Sequence, residues 1–551
     1  MPIDVYIKLL DEPFDNCASS CELTLTDTTG RQKEKYRLGV IAAEDIYHKI
    51  RSGEPVNLEN RYVKDFSLKS YRQLFGLEPE FEVELRNFYA YRTMFDIDSS
   101  VDFSGVRFVG EKCVFSQCVF GDGPLSFYHT RFDCDVVDFS ESYFGAGTAN
   151  FQYAVFNTNS TNFDAVHFDI GDVQFVNVDF GNSHVSFKQA NFGEGAADFH
   201  YSTFGSGNLS FDKASFGGGN VSFKRVDFGH GKVDFKRVRF GDGELDFSEA
   251  NFSSGKAVFR SSHFGNGNVL FNEVSGQSDF IFDNAQFGQG KLSFFKAKFR
   301  KASFSLCQFN NYLDLRISAA DKIDLSYVIV RDVVDMMPTQ HAPVSLGELD
   351  LSGVRNLGQV YIDWKENRVR NLIANQSHTS NRQKSEQFLT LKQSYNATGR
   401  YADEDRAYVW YKRYELKADL EFALNKNKWN ALWAYPTAFS KWLLFDKVGL
   451  YATEPLRVLF SVGVIYSLFS VLYLFLPLVA DTHIDTGGGE ALAGLNAVAK
   501  AFYFSAITFL TIGYGEYYPV GIMRLFASIE GYVGVFLMGY FSVAFVRKVL
   551  R

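Results

Sequence analysis

Cysteine and histidine are scarce, and the few present stand apart. Six Cys fall at Cys17, Cys21, Cys113, Cys118, Cys134 and Cys307. Cys17 and Cys21 form one C-x3-C pair with no second pair or nearby His at zinc spacing, so a zinc site there lacks half its ligands. Odd spacings in a long chain point to reduced thiols in a cytosolic compartment, not to a disulfide framework. The His residues have no Cys or Asp partner at useful spacing, and no catalytic set is legible. The chain is therefore read as a non-enzyme with no cofactor. A block of one charge is missing too. The formal net charge is -8 and is spread along the chain, which gives no reason to expect nucleic acid. Met1 to Asp15 alternate acidic and apolar side chains, without the basic start and apolar run of a secretory leader. Membrane insertion is expected from late in the chain.

Phenylalanine is what the chain has in excess: 57 in 551 residues. A chain of this length predicts three or more units. Residues 1–100 show no clear period and are read as a small N-terminal cap, α+β or irregular. From Phe103 the pattern becomes regular. Phe recurs at 103, 108, 115, 120, 127, 132, 139, 144, 151 and 156, and in step to 259, 264 and 271, alternating spacings of five and seven. The repeat is thus twelve residues, the signature of stacked coils that bury one face against the next. Two residues before each Phe stands a small or aliphatic residue, as Val221 before Phe223 and Ala250 before Phe252. The i and i-2 positions share one side of an extended segment. Gly-x-Gly follows every second Phe in most units and is expected to give the backbone freedom for a corner.

On these residues, 101–310 resembles pentapeptide-repeat proteins, which form right-handed, four-sided β-solenoids. Two five-residue faces plus a two-residue Gly insertion make the unit of twelve, and four faces make a coil of 24. A two-sided coil of twelve leaves little room for paired rings, so the larger coil is preferred. At about 4.8 Å per coil the rod is roughly 40 Å long. Wider repeats such as Leu313-Asp314-Leu315 and Val360-Tyr361-Ile362 extend irregular terminal coils over 311–375.

Residues 380–427 are charged, free of Pro and divided by Gly399, which predicts a helical hairpin. Trp429, Trp433, Trp442 and Phe445 then crowd residues 428–455 with Lys428, Lys441 and Lys447. This suits an amphipathic linker at the membrane interface. Residues 456–479 and 522–546 are each long and apolar enough to cross a bilayer. Residues 497–510 are too short to cross and run into Gly-rich backbone, a re-entrant pattern tolerated only where it lines a cavity or is buried in protein. Arg547, Lys548 and Arg551 flank one side with Lys441, Lys447 and Arg457. Asp481, Asp485 and Glu490 lie in the intervening loop. The basic flanks place both termini in the cytoplasm of a multi-pass protein of the cell membrane.

Between the apolar segments stands Thr511-Ile512-Gly513-Tyr514-Gly515. A dehydrated cation in a narrow pore needs oxygens in place of its water, and rings of backbone carbonyls supply them. Gly513 and Gly515 permit the backbone angles this demands. The region from Leu456 to Val546 resembles the two-transmembrane potassium channels. The resemblance implies a homotetramer in the lipid bilayer, with K+ held by Thr511, Ile512, Gly513 and Tyr514. It implies filter support from Tyr503, Phe504 and Glu516. Glu516 replaces the usual Asp, Leu510 a common second Thr, and Ile507 a carboxylate present in some members. Gly534 and Gly539 are candidate hinges, or points of close helix packing. Phe541 and Phe545 are a candidate cytoplasmic gate, or lipid-facing. Glu530 is expected to pair with Arg524 or to brace the pore helix.

The leading expectation is a potassium-selective channel gated or positioned by its N-terminal solenoid. A non-selective or sodium-permeable cation channel and a membrane-anchored interaction scaffold are the alternatives. A DNA-mimic role would need a strongly acidic solenoid, which Lys224, Arg225, Lys232, Lys236, Arg237 and Arg239 interrupt. Voltage sensing is not expected, since no Arg ladder precedes the pore. The second span runs directly to Arg551, so a regulatory domain is sought on the N-terminal side, with an unknown cytoplasmic ligand or protein as its partner.

Overall fold

The structure is a computed structural model that describes residues 3–27, 29, 31–96, 100–338, 344–486 and 495–550. Glu490 and Arg551 lie outside the described residues. The chain divides into two units, Met1–Ser377 and His378–Arg551.

The first unit is a β-solenoid with four faces. One face is a 12-stranded parallel sheet running from Val101–Asp102 to Gln359–Tyr361. Another has 13 strands, from Val83–Arg86 to Ser345–Asp350. Two further faces are held partly by single bridges, one through His167, Asn191, Ser215 and Arg239, the other through Val155, Asp179, Thr203 and Asp227. Leu125 pairs with Ala149 and Ala149 with Val173, so the coil is 24 residues. Later coils are uneven: Lys256 pairs with Asp279, Asp279 with Lys301, and Lys322 with Glu348.

The inward Phe side chains explain this size. Phe103, Phe127 and Phe151 form one column, with ring centroids 5.0 and 4.8 Å apart and planes within 8°. Phe115, Phe139 and Phe163 form a second, at 4.8 and 4.9 Å. The two columns meet edge to face, Phe127 against Phe139 at 5.4 Å. Both are favoured aromatic geometries, and the coil rise holds every ring at stacking distance. Full burial of each ring contributes about 1.5–3 kcal/mol.

Among the corner glycines, Gly193 and Gly229 are left-handed as expected, with φ of 61° and 57°, but others are glycine for a different reason. Gly265 and Gly267 do not adopt left-handed backbone. A Cβ on either would lie 2.0 Å from the carbonyl oxygen of Gly241 or Gly243, one coil earlier. Close approach of backbone to backbone selects glycine there. A left-handed corner also falls two residues after an inward Phe, at His129, Glu141, Tyr153 and their successors.

Before the repeat, Ile3–Leu10, Ser20–Asp27 and Gln32–Ala42 form an antiparallel sheet. The last strand then pairs in parallel with Arg61–Lys64, so the solenoid ladder begins well before residue 101. Helix α1 (Ala43–Ser52) lies between these last two strands, and α2 (Leu68–Leu74) follows Arg61–Lys64. Burial pushes the Cys21 thiol up to about 11 and the Cys307 thiol up to about 12, the behaviour of inert core thiols. A short helix, α3 (Val369–Ala374), ends the unit.

The second unit is helical. Helices α4 (Asn381–Ala397) and α5 (Tyr401–Lys426) form the hairpin, with Gly399 left-handed at the turn. Ser380 and Gln383 close a capping box at the start of α4. Helix α6 (Ala431–Lys441) buries none of its residues, and Trp429, Trp433 and Phe439 are exposed. A π-helical stretch, Trp442–Lys447, follows. Helix α7 (Pro455–Phe475), its 3-10 extension to Leu478 and helix α9 (Met523–Val549) give candidate spans of 24 and 27 residues. At 1.5 Å per residue both exceed a hydrocarbon core of about 30 Å. Between them lies α8 (Ala497–Phe509), too short to cross.

Candidate functional site

Helix α8 starts on a true cap, the Asn496 side chain accepting from the Ala499 amide at 2.8 Å. It ends at Phe509, and Thr511-Ile512-Gly513-Tyr514-Gly515 follows. Left-handed backbone recurs at alternate residues here: φ is 55° at Thr511, 61° at Gly513 and 80° at Gly515. Ile512 and Tyr514 are not left-handed. Alternation of mirror-image backbone angles turns successive carbonyls to one side of the strand. Gly513 and Gly515 accept this without cost. Thr511 is β-branched and strained at this angle, and such strain collects where function requires it.

The amides of this strand turn the other way. Thr511 N–H donates to Thr508 O at 3.1 Å, and Ile512 N–H to Ile507 O at 2.9 Å. Among the described residues no donor reaches the carbonyls of Thr511, Ile512, Gly513 or Tyr514. Ile512 is 45% and Tyr514 67% exposed, so within one chain Tyr514 presents most of its surface outward. The carbonyls of this segment are thus left without an intrachain partner among the described residues.

Behind it, Tyr503 and Glu516 come together, the Tyr503 hydroxyl donating to Glu516 Oε2 at 3.3 Å. Tyr503 also meets Tyr517 edge to face at 5.6 Å. Phe504 is buried against Tyr473 of α7, ring centroids 5.1 Å apart. Glu530 of α9 is fully buried. It accepts from the Tyr473 hydroxyl at 2.6 Å and from the Ser505 hydroxyl. One carboxylate therefore ties α7, α8 and α9 together. Of the two expectations for Glu530, the structure has the brace; Arg524 donates to Pro519 O at 3.1 Å instead. Tyr473 and Ser505 escaped sequence reading because a lone Tyr or Ser in an apolar run carries no signal until its carboxylate is located.

Gly534 is a packing position. A Cβ there would lie 2.0 Å from Phe509 O, at the last turn of α8. At Gly539 a Cβ would meet nothing, and α9 runs unbroken through both. Phe541 packs against the Ala452, Val458 and Ala544 cluster, and its ring lies 6.0 Å from that of Phe545. Beyond the strand, Tyr517–Val520 pairs antiparallel with His483–Thr486. The Tyr518 hydroxyl donates to Asp485 at 2.8 Å and holds its carboxyl below the usual carboxylate range. This ladder was not legible in the sequence, where the two segments stand some thirty residues apart.

Residues 460–551 match the family model described as Ion channel. The C-terminal unit therefore carries a segment similar to an ion-channel domain. No curated protein and no solved structure gives a match to the chain. The matched segment takes in most of α7, all of α8 and α9 and the Thr511–Gly515 segment between them.

Proposed function

We propose that this chain is the pore-forming subunit of a potassium-selective channel, assembled as a homotetramer around the strand Thr511–Gly515. The alternating left-handed backbone at Thr511, Gly513 and Gly515 carries this reading. Four such strands about one axis present rings of carbonyl oxygen, which replace the hydration shell of K+ at Thr511, Ile512, Gly513 and Tyr514. Tyr503, Glu516 and the Glu530 brace hold the strand to its helix. The open face of Tyr514 fits a neighbouring subunit.

Basic residues in the last turn of α9 and around α6 favour a cytoplasmic location for both termini in a cell membrane. The solenoid then lies on the cytoplasmic side, and we assign it a gating or positioning role.

The test is potassium flux into liposomes containing the purified protein, against a Gly513→Asp variant. Wild type is expected to pass potassium at least tenfold faster than the variant and in preference to sodium, about 1.4 kcal/mol or more per ion discriminated. Equal flux from the two proteins, or a monomer in the membrane, would reject the reading. Equal potassium and sodium flux would leave the non-selective alternative.

A further inference from the structure

The C-terminal turn of α9 is gripped by the hairpin through a buried carboxylate. Asp405 of α5 accepts from Arg547 at 3.0 Å and from Lys548 at 3.3 Å. Its side chain is only 8% exposed. The Arg547 guanidinium also lies 4.4 Å over the ring of Tyr408, again on α5. Two turns further along α5, Arg413 donates to both oxygens of Asp446 at 2.8 Å. Asp446 is buried in the π-helical stretch that leads into α7. A single helix therefore holds the segment before the first span and the end of the second.

A second observation marks the same place as mechanically loaded. Leu450, Tyr451 and Ala452 are all left-handed, with φ of 48°, 56° and 60°. None is glycine, and each costs about 1–2 kcal/mol in that conformation. Contacts from α9 hold the turn. Tyr540 accepts from the Ala452 amide at 2.9 Å and donates to Phe445 O at 3.2 Å, and Arg547 reaches Tyr451 O at 3.5 Å. Arg547 thus joins α9 to the hairpin and to the strained turn at once. Movement of α5 has a rigid path to the end of α9.

We propose that Asp405 is a positioning residue: through Arg547 and Lys548 it sets the cytoplasmic end of α9, and with it the open–closed equilibrium of the pore. This rests on the pore reading above. A buried pair broken on one side leaves an uncompensated charge, so the state that contains the pair loses its advantage. The carbonyl strand lies at the other end of the α9 packing, so permeation selectivity is not touched.

The test uses the full chain in planar bilayers, with open probability and the potassium-to-sodium permeability ratio read together. Asp405→Asn and Arg547→Gln are each expected to shift open probability at least about fivefold, in the same direction, the lower end of allosteric coupling. The double variant is expected to shift it no further than the larger single change, because both remove one interaction. Asp405→Glu is expected to return it toward wild type, and the permeability ratio is expected to stay unchanged throughout. Assembled single variants that shift by less than about fivefold, or a double variant whose effects multiply, would overturn the proposal. If Asp405→Asn does not assemble, the exchange Asp405→Arg with Arg547→Asp must restore assembly and open probability, and its failure also overturns it. Wild-type protein passing no cation current would reject the pore reading, and this proposal with it.

Discussion

Glycine does two different jobs within a few residues of the channel domain, and geometry separates them. Gly513 and Gly515 are left-handed and have open space around them, so what they supply is backbone angle. Gly534 is helical and supplies room, because the last carbonyl of α8 lies where its Cβ would be. Sequence alone left Gly534 and Gly539 equivalent; only the approach of Phe509 distinguishes them. The consequence is testable by substitution. Gly534→Ala is expected to push α9 off α8 and cost about 1–3 kcal/mol, as overpacking does. Gly539→Ala meets no neighbour and is expected to be neutral in the single chain's packing, with a small gain in helix propensity. Thermal unfolding in detergent, followed by potassium flux, reads both. Equal behaviour of the two variants would mean that the α8–α9 contact does not set stability.

The elements show how far a periodic sequence can be read. The inward Phe are legible because each must stack on its neighbour one coil away, which fixes both type and spacing. The coil of 24 followed from the room two ring columns need, and the registers have it. What the repeat hides is polar. Ser262 occupies a small inward position that Ala250 and Ala214 fill elsewhere. Its hydroxyl donates to Phe235 O at 2.5 Å and accepts from the Val238 amide at 3.1 Å. Ser142 and Ser202 do the same in other coils. A small residue at this position reads as packing in the sequence, yet here it completes the backbone hydrogen bonding of a buried corner. The left-handed corners are equally silent, since His129, Glu141 and Tyr153 share no chemistry. Ser262→Ala is expected to cost about 1–3 kcal/mol by leaving a buried amide and carbonyl unpaired. Amide hydrogen exchange at Val238 is the direct measurement. Unchanged protection there would show that the corner re-pairs without the hydroxyl.

At the scale of the whole molecule, the site and its control were unequally legible. The proposed filter string is contiguous, so its five residues between apolar segments could be singled out directly. The contacts of Asp405 with Arg547 and of Arg413 with Asp446 join residues far apart in the chain, and no spacing rule reaches them. The hairpin that makes these contacts belongs to the same unit as the channel domain, and the solenoid is a unit of its own. That division predicts which functions separate. Deleting residues 1–377 removes the solenoid and leaves α4, α5 and their two buried ion pairs in place. The truncated protein is expected to assemble and to keep the full-length permeability ratio, because the carbonyl strand, the Glu530 brace and the Asp405 contact are all retained. Open probability is expected to change, as the gating role proposed for the solenoid requires. Single-channel recording of the two proteins under the same conditions distinguishes the cases. A truncated channel with full-length open probability under every stimulus tried would assign gating to the hairpin alone. A truncated protein that loses potassium preference would show that the solenoid shapes the pore as well as its gate.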